Sequence, residues 1–136
     1  MQTKGEAYLE TVKKIQFEIS SNCNAECPGC VRFLPLNVGK DRNWLEKNVF
    51  LRLSVFNKLI DDAVAAGLEE VEFCGTIDDP VMHPEFLDML EHCAKHHMSV
   101  RIHTNAGARK PEYWAEMARI SVSYTHLRAH ETSLHL

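Results

Sequence analysis

Residues 14–30 read Lys14-Ile15-Gln16-Phe17-Glu18-Ile19-Ser20-Ser21-Asn22-Cys23-Asn24-Ala25-Glu26-Cys27-Pro28-Gly29-Cys30. Ile15, Phe17 and Ile19 alternate with Gln16, Glu18 and Ser20, the two-residue period of a strand with one apolar face. A cysteine-rich loop follows that strand without a break. Its spacing, C-x3-C-x2-C, lets three thiolates converge on one inorganic centre.

Working outward, Phe33 to Asn43 holds a proline, a glycine and two asparagines with no sustained period, and is read as a long loop. Helical spacing follows at Phe56, Leu59, Ile60 and Ala63, with Gly67 as the stop. A second strand is expected over Glu70–Cys74, then a turn-rich loop, Gly75 to Pro80. A helix starts near Pro84 and carries Phe86, Leu87, Leu90 and Ala94. A third strand, Ser99 to Thr104, leads into Asn105-Ala106-Gly107, and a third helix runs from Pro111 through Trp114, Met117 and Ala118. A fourth strand begins at Ile120-Ser121-Val122, where the pattern stops. Repeated βα units at this spacing imply the α/β class with a parallel sheet.

Each strand alternates, although a parallel strand covered on both faces reads as a nearly continuous apolar run. Ile15, Phe17, Ile19, Val71, Phe73, Val100 and Ile102 form the apolar phase that must meet the helices. Gln16, Glu18, Ser20, Glu72, Cys74, Arg101 and His103 form the polar phase. The polar phase faces either solvent or a barrel lumen, and the loop chemistry favours the lumen.

The chain has 136 residues, 45% hydrophobic and 25% charged, with a formal net charge of −4. That suits one globular domain and excludes a nucleic-acid binder working by bulk positive charge. No apolar run approaches the roughly 18 residues of a membrane span. The first ten residues show no secretory apolar stretch, so the cytoplasm is the expected location. Five cysteines, three of them crowded together, read as metal binding before disulfides. A closed zinc site needs four ligands, and the next candidates, Cys74 and His83, lie far along the chain. Iron–sulfur clusters usually take four Cys, so three leave one iron of a cubane open to another ligand. A non-catalytic zinc module using Cys23, Cys27, Cys30 and one distant ligand is the alternative.

The strand–CxxxCxxC unit resembles the radical S-adenosylmethionine (radical SAM) superfamily. The resemblance implies a partial (β/α)6 TIM-like barrel, here truncated to about three βα units. It implies that Cys23, Cys27 and Cys30 hold a [4Fe–4S] cluster whose fourth iron is chelated by S-adenosylmethionine. One electron, from a donor such as a ferredoxin or flavodoxin, then cleaves that molecule to a 5′-deoxyadenosyl radical that abstracts hydrogen from a substrate.

Further matches extend the likeness from about Ile15 to Ser121. Cys74-Gly75-Thr76-Ile77-Asp78-Asp79-Pro80 stands where the family carries a Gly-Gly-Glu-Pro-like loop, with Asp79-Pro80 for Glu-Pro and the paired glycines absent. Gly75, Thr76 and Asp79 are its expected S-adenosylmethionine contacts. Thr104-Asn105-Ala106 looks like the family's Thr-Asn-Gly strand end. Gly29 stands where many members have an aromatic, and offers only backbone groups. Arg101 is a candidate partner for the S-adenosylmethionine carboxylate or a substrate anion. The wording around the cysteines and around Asp79 most resembles the SPASM-domain branch, which suggests a peptide or protein substrate. Neither nucleic acid nor membrane is an expected partner.

The remaining polar residues have blander readings. Cys74 and Cys93 are expected to pack. His92, His96 and His97 suit a helix C-terminus through its dipole. His83 is a loop residue within reach of a substrate, and Glu72–Arg101 is a candidate ion pair. Residues 123–136 (SYTHLRAHETSLHL) break the rhythm and carry three of the eight histidines. Their YTHLRAHET stretch resembles translated sequencing-adaptor DNA. The expectation is a core-domain half over 1–122, with 123–136 a foreign or disordered tail.

Overall fold

The computed structural model describes residues 12–33 and 46–120, and residues 124–127 as backbone. Almost all of the expected loop over 33–43 lies outside the described residues. Strands β1 (Lys14–Phe17), β2 (Glu70–Phe73), β3 (Ser99–Thr104) and β4 (Tyr124–Leu127) form one sheet in that order, every neighbouring pair parallel. Helices α1 (Leu53–Ala65), α2 (Phe86–Lys95) and α3 (Pro111–Arg119) fill the connections.

A sheet that adds each strand beside the last, with crossovers of one hand, sends its helices to one face. The core agrees with this. In register Phe17 lies beside Phe73 and Phe73 beside Ile102, so the apolar phase forms one continuous surface. Phe56 and Ile60 of α1, Phe86, Met89, Leu90 and Cys93 of α2, and Met117 of α3 are buried in the same cluster as those strand residues. Ring pairs bind the layers: Phe17–Phe56 at 5.1 Å and Phe73–Phe86 at 5.0 Å between centroids, both edge-to-face. Such pairs add about 0.5–1.5 kcal/mol each beyond the area they bury.

The opposite face carries charge. Glu72 is bonded to Lys14 and, at 2.6 Å, to His103 Nε2, while Arg101 meets Glu70 at 3.4 Å. The expected Glu72–Arg101 pair is therefore replaced. Although these two residues are paired in register, the Arg101 guanidinium reaches Glu70 and leaves Glu72 to Lys14 and His103. The Lys14 ammonium holds the Glu72 carboxyl below the usual carboxylate range.

Four local features differ from expectation, each for a physical reason. β1 ends at Phe17 because the chain then changes partner. Leu51 N–H donates to Ile19 O at 2.8 Å, and Ser21 N–H donates to Val49 O at 3.0 Å. Leu59 sits at the edge of the α1 stripe and is 43% exposed, whereas Phe56 and Ile60 are fully buried. α2 begins at Phe86, with Pro84 in the turn before it. A fourth strand is described at 124–127, inside the segment read as a tail; of the expected 120–122, Ile120 caps α3 and 121–122 lie outside the described residues. An open sheet edge presents unpaired backbone groups to whatever extended chain comes next.

Both long helices end in the same backbone motif. Leu68 N–H reaches Ala63 O and Gly67 N–H reaches Val64 O after α1; Met98 N–H reaches Cys93 O and His97 N–H reaches Ala94 O after α2. The motif needs a left-handed residue, supplied by Gly67 (φ 91°) in the first case and His97 (φ 54°) in the second.

Candidate functional site

The carboxyl ends of β1, β2 and β3 open onto a cavity of about 450 Å³. Ligands of open α/β sheets bind at this end of the strands. Cys23, Cys27, Cys30 and Gly29 line it from the first loop, Gly75, Thr76 and Asp79 from the second, and Thr104 and Asn105 from the third. Arg101 is the one expected site residue that is not among the lining groups, because its guanidinium is engaged by Glu70 on the charged sheet face.

The cysteine loop is shaped by Cys27-Pro28-Gly29-Cys30. Cys30 N–H closes onto Cys27 O at 3.1 Å, and Gly29 has φ 79°, as a type II turn with proline second and glycine third requires. A second turn follows, with Phe33 N–H on Cys30 O at 2.8 Å. Cys23 receives two N–H donors on its sulfur, Ala25 N at 3.5 Å and Asn105 Nδ2 at 3.7 Å. Burial pushes the Cys23 thiol pKa up, while the Ala25 amide pulls it down. Metal coordination removes that thiol proton, and N–H donors to a ligating sulfur tune the centre it holds.

The three loops are tied to each other. Asp79 N–H donates to Asn22 O at 2.8 Å, and Arg32 Nη1 donates to Ile77 O at 2.6 Å, joining the first loop to the second. The Asp79 carboxylate accepts from Thr104 Oγ1 at 2.8 Å, Asn105 N at 2.8 Å and Val81 N at 3.2 Å, joining the second to the third. Asn105 Nδ2 donates to Asn24 Oδ1 at 3.0 Å, joining the third back to the first. Asp79 and Thr104 are thus buried with their polar atoms spent on one another. Gly75, Thr76 and Asn105 are the less buried part of the wall.

Asp78, Arg32 and Asn24 do work that sequence reasoning missed. Asp78 Oδ2 accepts from Ile19 N at 3.2 Å and Ser20 N at 2.9 Å, where β1 leaves the ladder. Burial raises its carboxyl pKa to about 7, partly opposed by the Ser20 amide. The doubled Asp78-Asp79 was the visible signal. Arg32 and Asn24 carried none beyond lying in or beside the cysteine loop.

Two other residues change role. Cys74, expected to pack, lines the cavity, and its sulfur lies within 4.8 Å of ligand atoms of Glu72 and His103. His83 is fully buried rather than facing a substrate. Its Nδ1 accepts from Glu85 N at 3.0 Å, which leaves Nε2 to donate to Leu51 O at 2.8 Å. It pins the segment before α1 to the start of α2.

Three thiols lining one cavity, with two N–H donors on one of them, are a donor set that fits a cysteine-ligated iron–sulfur cluster. Among the described residues, the sets of three whose ligand atoms all fall within 4.8 Å are two others, Asp61–His92–His96 and Glu72–Cys74–His103. The cysteine trio is not gathered as tightly as ligands of a single zinc ion, at about 2.3 Å Zn–S, would be.

No helix among the described residues is long and apolar enough to cross a membrane. No family model matches the chain. The tungsten-containing aldehyde ferredoxin oxidoreductase cofactor-modifying protein of Pyrococcus furiosus is 27% identical over 111 residues, covering 82% of this chain. The chain spans 29% of that relative's length, a distant similarity to a cofactor-modifying protein.

Proposed function

We propose that this chain carries the cofactor-binding part of a radical SAM-type modifying enzyme, with a [4Fe–4S] cluster held by Cys23, Cys27 and Cys30. The observation that carries the reading is that all three cysteines share one cavity with the ends of the next two strands. When bound, a cluster with S-adenosylmethionine supplies one-electron cleavage of the sulfonium and hydrogen abstraction from a substrate. The chain's own residues supply position. The Pro28-Gly29 turn sets Cys27 and Cys30 on one wall, and Asn105 steadies Cys23. Gly75 and Thr76 line the cavity, with the Thr76 N–H donated to Glu18 Oε1 at 3.0 Å. Asp79 fixes the strand ends that carry Thr104 and Asn105.

The sequential parallel strand order supports a segment of a (β/α) barrel, whose charged inner face would be the lumen. A ferredoxin or flavodoxin is the proposed electron source. The relative's name supports a modifying enzyme. A peptide or protein substrate rests on the wording around the cysteines and Asp79 alone.

The test is anaerobic turnover. Reconstituted protein given S-adenosylmethionine and a strong one-electron reductant is expected to release 5′-deoxyadenosine, and Cys27→Ala to release none. Product formed equally by that variant overturns the assignment. Colourless zinc bound one per chain, with no iron uptake, favours the zinc module instead.

A further inference from the structure

On the outer side of the molecule, Asp61 of α1 faces His92 of α2 and His96, the residue that caps the C-terminus of that helix. Both imidazole Nε2 atoms lie 2.8 Å from the same carboxylate oxygen, Asp61 Oδ1. The two histidines are four apart, so they stand one turn above each other on a single helix face. Their ring centroids are 5.0 Å apart, with an interplanar angle of 69°. All three ligand atoms lie within 4.8 Å of one another. The histidine side chains are 18% and 30% exposed and the aspartate 53%, so the site is a shallow one open to water.

We propose that Asp61, His92 and His96 form a binding site for a divalent first-row transition metal, zinc or its neighbours, separate from the cysteine cavity. Two neutral imidazoles and a carboxylate are the borderline donors such ions prefer over calcium or magnesium. Around a tetrahedral ion with bonds of about 2.0–2.2 Å, neighbouring ligand atoms sit roughly 3.3 Å apart. Metal binding thus asks each Nε2 and Oδ1 to separate by only about half an ångström. Water completes the coordination, because three protein ligands leave a position open. In the hydrogen-bonded cluster each Nε2 donates its proton to Asp61 Oδ1; a bound ion sits between the three ligand atoms and takes each Nε2 lone pair, so both imidazoles then carry their proton on Nδ1. The bound ion joins α1 to α2, and its place on the outer faces of two helices makes it a structural or regulatory site rather than part of the cavity chemistry. Nearby charges leave the ligands available: Lys58 is paired with Asp62 at 2.7 Å, and His97, past the end of α2, is not in the cluster.

The test is anaerobic Co²⁺ titration of the whole chain after chelator treatment, followed by absorbance. The expected result is one equivalent with the weak visible bands of nitrogen and oxygen ligation, distinct from the intense near-ultraviolet thiolate bands that cobalt at the cysteines gives. His92→Gln and His96→Gln keep an N–H donor for Asp61 but lose the imidazole, and should weaken that equivalent at least about tenfold. His97→Gln should leave it unchanged. In the unaltered protein, Zn²⁺ should shift the side-chain nitrogen resonances of two histidines and no more. Cobalt uptake by both Gln variants equal to the unaltered chain, thiolate bands alone, or unmoved histidine resonances overturn the proposal. The cobalt equivalent lost in the Gln variants and the two shifted histidine resonances do not require an iron–sulfur cluster at the cysteines, so this proposal and that of the cluster fail separately.

Discussion

Gly75 has no room for a β-carbon. One built there would stand 1.5 Å from Asp78 Oδ1 and 2.8 Å from Asp78 backbone oxygen, so the neighbouring carboxylate occupies the space a side chain would need. Gly75→Ala must push Asp78 off the Ile19 and Ser20 amides. It is expected to cost about 1–3 kcal/mol, read from urea denaturation. An unchanged midpoint would show that the loop relaxes freely. Asp78 itself gives a pH signature. Its folded pKa of about 7 lies above the ordinary 3.8, so its contribution to stability is present below about pH 4 and is lost as pH rises through about 7. Asp78→Asn keeps an oxygen for the two amides and cannot ionise. Melting curves between pH 4 and 8 should show a flatter decline for this variant, and a decline as steep as the parent's would remove Asp78 from the account. The glycine was legible as a turn residue, but the burial that tunes Asp78 was not, because it depends on a loop wrapping back onto β1.

Helix α2 ends on His97 in a left-handed conformation that costs an L-residue roughly 1 kcal/mol and suits glycine. His97→Gly is therefore expected to raise stability by about 0.5–1 kcal/mol, against its greater chain entropy when unfolded. Chemical denaturation checks this, and a destabilised variant would mean that the His97 side chain makes a contact that matters. The matching end of α1 was readable because Gly67 announces it; His97 carries no such signal. Element boundaries were most legible where local chemistry sets them. β3 and α3 fall where alternation and Pro111 put them, at Ser99–Thr104 and Pro111–Arg119. They were least legible where a distant partner decides, as when residues 49–51 take over the chain after Phe17.

Across the whole molecule, three strand ends meet in one mouth only because their loops are laced together. Asp79 is the common knot: its carboxylate takes Val81, Asn105 and Thr104, and its amide holds Asn22. In Asp79→Asn, a carboxamide turned either way sets its NH₂ against the Val81 or the Asn105 N–H, so the substitution should cost about 1–3 kcal/mol. It should also loosen the cysteine loop, seen as faster amide exchange at Asn22–Ala25. Exchange rates equal to the parent's would separate Asp79 from the site. The cysteine spacing made the proposed chemistry readable, and the βα rhythm made the sheet readable. The lacing was not readable, since Asn24, Asn105 and Arg32 become informative only once the loops are folded side by side.

The most direct measurement is iron and acid-labile sulfide per chain after anaerobic reconstitution, for the parent and for Cys23→Ala, Cys27→Ala and Cys30→Ala. The account predicts about four of each in the parent, with a broad brown charge-transfer absorption, and loss of the cluster in each variant. A parent that takes up zinc and no iron, or variants that keep the parent's iron and sulfide, would contradict it.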